Sequence, residues 1–128
     1  MTSTSSGSPD VRGYHAHVYY EPRTAATAAA LRGEIGAALP VEVGALRDAP
    51  VGPHPISQFA VIFRPEQFAT VVPWLMLNRS GLDILIHPLT DDMVADHSDQ
   101  ALWLGAPVDL ILEPMRGRAY GQALLPNG

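Results

Sequence analysis

The run Tyr14-His15-Ala16-His17-Val18-Tyr19-Tyr20 constrains this chain more than any other segment. On an extended backbone Tyr14, Ala16, Val18 and Tyr20 point one way, while His15, His17 and Tyr19 point the other. Period-two alternation built from aromatic and β-branched residues is the signature of a strand. The strand, read from Val11 to Tyr20, has one side suited to a core and one side that carries two imidazoles. Pro22 ends it.

The segments that follow set the architecture. Thr24 to Leu39 is rich in alanine and leucine, and Leu31, Ile35 and Leu39 recur every four residues along one helical face. Gly33 and Gly36 each weaken that helix by up to ~1 kcal/mol relative to alanine, and Pro40 closes it. Val41 to Leu46 reads as a second strand, and Asp48 to Pro53 as a turn-rich connection. Ser57 to Arg64 is a third strand. Pro65-Glu66 opens a second helix, with proline suited to the first turn and glutamate to the positive end of the dipole. Phe68, Val71, Val72 and Leu75 form its apolar face, and Pro73 is expected to kink or divide it. Asn78-Arg79-Ser80-Gly81 is its stop, and Leu82 to His87 a fourth strand ended by Pro88.

The order strand, helix, strand, strand, helix, strand predicts an α+β fold of the ferredoxin-like βαββαβ type, an antiparallel sheet with helices on one face. Beyond it, Asp92 to Leu104 reads as a short helix or ordered loop and Val108 to Leu112 as a short extra strand. Residues 1–10 read as a disordered polar leader, 11–116 as the domain, and 117–128 as a C-terminal surface tail or an arm to a partner subunit.

In this fold the first and fourth strands are antiparallel neighbours. Ala16 and Val18 suit the helix-covered side of one, and Leu82, Ile84 and Ile86 that of the other. His15 and His17 therefore share the opposite, open side with Asp83, Leu85 and His87. A His-x-His pair on a strand projects both imidazoles from one face, about 7 Å apart at Cα. Imidazoles suit iron, zinc, copper or nickel, and affinity alone does not choose among them. His15, His17 and His87 are thus the candidate metal ligands. His54 sits in Gly52-Pro53-His54-Pro55, where two prolines stiffen the loop and hold the imidazole at low entropic cost, either for catalysis or simply to shape a connection. Asp96-His97 offers a carboxylate beside a fifth imidazole, although Asp96 or Ser98 can equally cap a helix. Trp74 and Trp103 read as core or dimer-contact residues, with Trp103 close enough after His97 to wall a pocket instead, and Arg79 reads as a solvated helix end, with a substrate carboxylate as the alternative.

Composition removes other classes. The chain has no cysteine, which excludes disulfides, thiolate metal sites, iron–sulfur clusters and a cysteine nucleophile, and fits a cytoplasmic protein. Eight arginines, no lysine and 13 acidic residues give a net charge of -5 and no basic stripe, so nucleic acid is not expected as a partner. The missing lysine also removes a Schiff base and a phosphate-loop lysine. No stretch of 18 apolar residues is present, so no membrane span is expected. Phosphate-loop, nucleophile-elbow and zincin motifs are absent.

Tyr14 to Tyr20, Val51-Gly52-Pro53-His54-Pro55, Pro73 to Arg79, Leu85-Ile86-His87-Pro88-Leu89-Thr90 and Asp96-His97 with Trp103-Leu104-Gly105 together resemble the DOPA 4,5-dioxygenase family from about Tyr14 to Leu112. The resemblance implies a ferredoxin-like fold, a homodimer, and extradiol cleavage of a catechol such as L-DOPA by dioxygen at a non-haem Fe(II) centre, with zinc or another divalent metal able to replace iron in a purified sample. The usual non-haem arrangement is two histidines and one carboxylate. Asp83, Asp96 and Glu21 are candidates for that carboxylate, and a three-histidine site is equally compatible. The expectation is that His15, His17 and His87 contribute ligands, while His54 and His97 move protons to and from the catechol. The alternatives are a non-catalytic ferredoxin-like dimer that binds a small aromatic ligand or metal, and a zinc-dependent hydrolase or isomerase.

Overall fold

A computed structural model describes residues 11–116; the leader 1–10 and the tail 117–128 lie outside the described residues. The elements are β1 (Tyr14–Tyr20), α1 (Ala25–Ala38), β2 (Glu42–Val43), β3 (Ser57–Phe63), α2 (Phe68–Asn78), β4 (Ile84–Pro88), α3 (Met93–Asp96) and β5 (Leu102–Leu104). The strands form one sheet in the order β2-β3-β1-β4-β5, and every pairing is antiparallel. The first four strands have the expected ferredoxin-like order, with β5 added at the β4 edge.

Period two assigns the faces as expected. Ala16, Val18 and Tyr20 from β1, Phe59, Val61 and Phe63 from β3, and Ile84 and Ile86 from β4 join Ala28, Leu31 and Ile35 of α1 and Val71, Val72 and Leu75 of α2 in one core. Trp74 packs partly buried against this core.

Four local expectations are corrected. The sequence predicts a second strand over Val41–Leu46, yet only Glu42 and Val43 form its ladder with Ile62 and Val61. Pairing resumes at Arg47 opposite Gln58, so three residues face two across the gap. That extra residue is a β-bulge, which ends the regular ladder and bends the strand. Second, Pro73 does not divide α2, which runs from Phe68 to Asn78 with the proline inside it. Ala69, whose carbonyl would otherwise receive the bond at residue 73, lies with Pro73 on the exposed side, where water can satisfy it. Third, Val108–Leu112 is not a strand. The extra strand is Leu102–Leu104, inside the segment Asp92–Leu104 read as helix or loop, and α3 occupies only Met93–Asp96 of that segment. The free edge of β4 captures Leu102-Trp103-Leu104, while Ile111 N–H donates to Pro53 O at 2.9 Å and ties the 108–112 stretch to the loop that carries His54.

The fourth correction concerns the sheet's second face, which is not open. Two connections cover it: residues 48–56, and residues 89–101 around α3. His15, His17 and His87 are 0% exposed, and Tyr19, Gln58, Ala60, Ile62, Leu85 and Leu89 are buried beside them.

The turn after β5 depends on Gly105. Its φ is +85°, and a Cβ there would collide with the Asp83 carboxylate and lie 2.7 Å from the Arg79 guanidinium. Asp83 Oδ1 accepts the Ala106 N–H at 2.8 Å, so this crowding is how the turn is gripped. Gly105→Ala is expected to destabilise the fold by about 1–3 kcal/mol through the left-handed backbone and the clash together. Urea unfolding measures it, and a change under about 0.5 kcal/mol would contradict the assignment.

A candidate three-histidine metal centre

Antiparallel pairing of β1 with β4 sets His15 directly opposite His87 and His17 opposite Leu85. On its other side His17 faces Ala60 of β3, whose small side chain leaves room for the ring. The predicted proximity of the strand histidines is therefore observed. His15, His17 and His87 each offer a ring nitrogen, and these nitrogens lie within 4.8 Å of one another.

Outer hydrogen bonds fix two of the rings. His87 Nδ1–H donates to the Pro88 carbonyl at 2.9 Å, because a carbonyl can only accept. His17 Nδ1–H donates to Gln58 Oε1 at 2.8 Å, with the amide oriented oxygen-first toward the ring. Both neutral rings then turn Nε2 lone pairs toward each other, and these two atoms are 3.1 Å apart. Lone pair against lone pair repels in a buried, weakly screened place. A cation between them converts that repulsion into two bonds. Nitrogens bound to one metal at about 2.0–2.1 Å sit roughly 2.8–3.4 Å apart across octahedral and tetrahedral geometries, so the observed spacing suits a metal-bound pair.

His97 and His54 complete a five-histidine group. The His97 ring lies 3.9 Å from that of His87 and 6.3 Å from those of His17 and His54, centroid to centroid. Its Nδ1–H donates to the Met93 carbonyl at 2.8 Å. His54 is held by a pair of backbone bonds with Val51 across the Gly52 turn. Its ring lies 4.1 Å from that of His17, its Nδ1 shares a 2.8 Å hydrogen bond with the Tyr19 hydroxyl, and its Nε2 is buried with no hydrogen-bond partner among the described residues. Tyr19 in turn stacks on Trp103 at 5.9 Å and 24°, so Trp103 helps wall this face. Gln58 and Tyr19, not singled out in the sequence, thus orient His17 and His54.

The candidate carboxylates lie elsewhere. Asp83 holds the Ala106 amide, Asp96 binds Thr90 with both oxygens, and Glu21 is exposed beside Arg23. Among the described residues the metal-capable group is all imidazole.

Burial controls the charge of these rings. His17 and His87 titrate well below the ordinary 6.5, first through desolvation and then through neighbouring histidines. Desolvation brings His54 down to about 3, helped by His97 and His15. It brings His97 down to about 4 against the opposing bond to Met93. Near neutral pH these four are therefore neutral, the form that binds a metal without first losing a proton.

Gln58→Leu tests the outer hydrogen bond. Without it the His17 ring can turn and exchange tautomers, and metal affinity is expected to fall about 10–100-fold. Competition with a chromogenic chelator measures this, and unchanged affinity would contradict the orientation role.

A cavity of about 630 Å³ lies across the sheet, on the helix side, lined by residues including Tyr14, Phe68, Ile86, Thr90, Asp92 and Leu102. It does not reach the imidazoles. The chemistry of the donor set, rather than the presence of a hollow, locates the candidate centre.

A DOPA 4,5-dioxygenase from Amanita muscaria is 31% identical over 118 residues, covering 84% of this chain and 52% of that protein. An uncharacterised 21.2 kDa protein from Botryotinia fuckeliana is 44% identical over 73 residues, covering 49% of this chain and 40% of its own length. The chain thus spans about half the length of these curated relatives, or somewhat less. A solved structure of a candidate dioxygenase from Nostoc punctiforme superposes with a TM-score of 0.84 at 47% identity, covering 88% of this chain and 97% of that one. The model of the Dopa 4,5-dioxygenase family matches residues 14–114, from the first residue of β1 into the last turn after β5, and the chain belongs to that family.

Proposed function

We propose that this protein is a non-haem Fe(II)-dependent extradiol dioxygenase that opens the ring of a catechol such as L-DOPA or a related aromatic. The observation that carries the reading is the 3.1 Å approach of the His17 and His87 Nε2 atoms, each ring with its Nδ1 committed to a carbonyl oxygen and His15 beside them. His15, His17 and His87 would hold the metal. Three protein ligands would leave the metal open to substrate, and Fe(II) would supply activation of dioxygen beside a bound catechol. Both atoms of dioxygen enter the ring-opened product, so no external reductant is consumed.

The chain's remaining groups handle protons and water. His54 presents a buried Nε2 with no hydrogen-bond partner among the described residues, and Tyr19 holds the opposite edge of its ring. His97, fixed by Met93, sets its ring 3.9 Å from that of His87, centroid to centroid. One of these neutral imidazoles accepts a proton from a catechol hydroxyl, and the other returns one at ring opening. The 48–56 and 89–101 connections exclude bulk water from the imidazoles, which strengthens each of these interactions.

A cytoplasmic location is proposed because a chain without cysteine suits a reducing compartment; no described helix is long and apolar enough to cross a membrane. A homodimer is the proposed assembly, supported by Met76 and Leu77, which stand 57% and 84% exposed on the outer side of α2.

Oxygen uptake by anaerobically Fe(II)-loaded protein, measured with a panel of catechols including L-DOPA and caffeate, tests the activity. Uptake matched to a yellow ring-opened product supports it. Bound metal with no uptake from any catechol overturns it in favour of a non-catalytic dimer that binds a metal or small aromatic ligand. Uptake-free turnover with zinc would favour hydrolase or isomerase chemistry instead.

A further inference from the structure

The geometry points to Asp96 as a positioning residue that sets the His97 ring over the metal centre, an inference that rests on the proposed dioxygenase reading. Asp96 is fully buried, and a buried carboxylate is costly unless its oxygens are hydrogen-bonded. Both are bonded, and to one residue: Oδ2 accepts the Thr90 N–H at 2.8 Å and Oδ1 accepts the Thr90 hydroxyl at 2.6 Å. These bonds leave Asp96 facing Thr90 rather than the imidazoles. It acts through its chain neighbour.

The bonds around this pair form a closed frame. Leu89 N–H donates to Gly13 O and Arg12 N–H to Leu89 O, which anchors the stretch after β4 to the start of β1. The Thr90 hydroxyl also accepts the Asp92 N–H, and the Asp92 carboxylate caps α3 through the Ala95 N–H. Asp96 closes the far end of this four-residue helix back onto Thr90. His97 follows immediately, and its Nδ1–H donates to Met93 within the same turn.

A helix of one turn has little intrinsic stability, so its place on the sheet is set by such ties rather than by its own hydrogen bonds. The ring that reaches within 3.9 Å of His87 therefore inherits its position from the Asp96–Thr90 pair. An exposed Asx turn would suffice merely to close a loop. A doubly bonded, buried carboxylate beside the ring fixes its place more tightly.

Three variants test this: Asp96→Ala, Asp96→Asn and Thr90→Val. The readouts are bound Fe(II) per chain, turnover per bound metal, and the ¹⁵N tautomer pattern of His97 in the metal-free protein. Asparagine can keep both bonds, its oxygen accepting the Thr90 N–H and its NH₂ donating to the hydroxyl, so it should stay within about threefold of the parent. Asp96→Ala and Thr90→Val should keep the metal, replace the fixed Nδ1–H pattern of His97 by an averaged one, and lower turnover per bound metal about 10–100-fold, as losses of outer-shell partners do.

An unchanged His97 pattern in Thr90→Val overturns the inference. So does an Asn variant as impaired as Ala, or loss of metal in both Asp96 variants, which would make the carboxylate a ligand. Should Asp96→Ala fail to fold, Thr90→Val carries the test, since it keeps shape and N–H and loses only the hydroxyl. If the parent protein shows no turnover with any catechol, the dioxygenase reading fails while the ring pattern still decides the positioning role.

Discussion

Alanine at His17 or His87 is expected to weaken Fe(II) binding by about 100-fold or more and to remove oxygen uptake with it. Losing an outer hydrogen-bond partner of a metal ligand already costs about 10–100-fold, and losing a ligand costs at least the upper end of that range. Either substitution also abolishes the 3.1 Å Nε2–Nε2 approach, so the remaining imidazole no longer shares a cation. His97→Ala should behave differently. It removes a ring 3.9 Å from His87 but none of the three candidate ligands, so metal should stay bound while turnover falls by about 10²–10⁴, the usual worth of general acid–base catalysis. Chelator competition and oxygen uptake, measured on the same samples, separate these outcomes. Full metal occupancy in both His17→Ala and His87→Ala would remove the strand histidines from the centre.

The second large effect is acid lability of the metal-free protein. His17, His54, His87 and His97 all have folded-state pKa values below the ordinary 6.5, to about 3 for His54 and about 4 for His97. Below pH 6.5 the unfolded chain takes up protons that the folded chain refuses, so this contribution to stability is present above 6.5 and is lost as pH falls toward the folded values. Each histidine contributes a loss of roughly 1 kcal/mol between pH 6.5 and 5.5, and about 1.4 kcal/mol per further unit. Four together remove about 4 kcal/mol over the first unit, a large share of the ~5–15 kcal/mol that holds a domain folded. Urea unfolding of apoprotein at pH 7.5, 6.5 and 5.5 should show that fall. Bound metal should raise stability at each pH, most at the highest, where protons compete least. An apoprotein equally stable at pH 5.5 and 7.5 would contradict burial of these rings in neutral form.

The parts of this molecule legible in its sequence are those governed by period. Alternation in Tyr14–Tyr20 separated Ala16 and Val18 from His15 and His17, and the strand order then placed His87 beside them, because β1 and β4 must be neighbours in this topology. Four-residue spacing revealed the Leu31–Ile35 face of α1 in the same way, with Leu39 joining the core as the extended residue just past its end. What escaped is aperiodic. The burial of the histidine face comes from residues 48–56 and 89–101, whose paths are set by bonds between distant residues, such as Ile111 to Pro53 and Leu89 to Gly13. Three residues of β5 are too few to show alternation inside a segment that carries helix signals. The bulge after Val43 shows only in register. Gln58 did leave a signal, since it is a lone amide in an otherwise apolar strand, in phase with Ala60 opposite His17. The carboxylates Asp83 and Asp96 attracted notice through residue type, yet their bonds to Ala106 and Thr90 could be known only from the fold.

The most direct test of the metal centre is anomalous diffraction at the iron edge from crystals loaded anaerobically with Fe(II). The arrangement of imidazoles predicts one strong peak per chain within bonding distance of His15, His17 and His87, with no carboxylate ligand from Asp83, Asp96 or Glu21. A peak coordinated by one of those carboxylates, or seated in the cavity beside Tyr14 and Phe68, would contradict it.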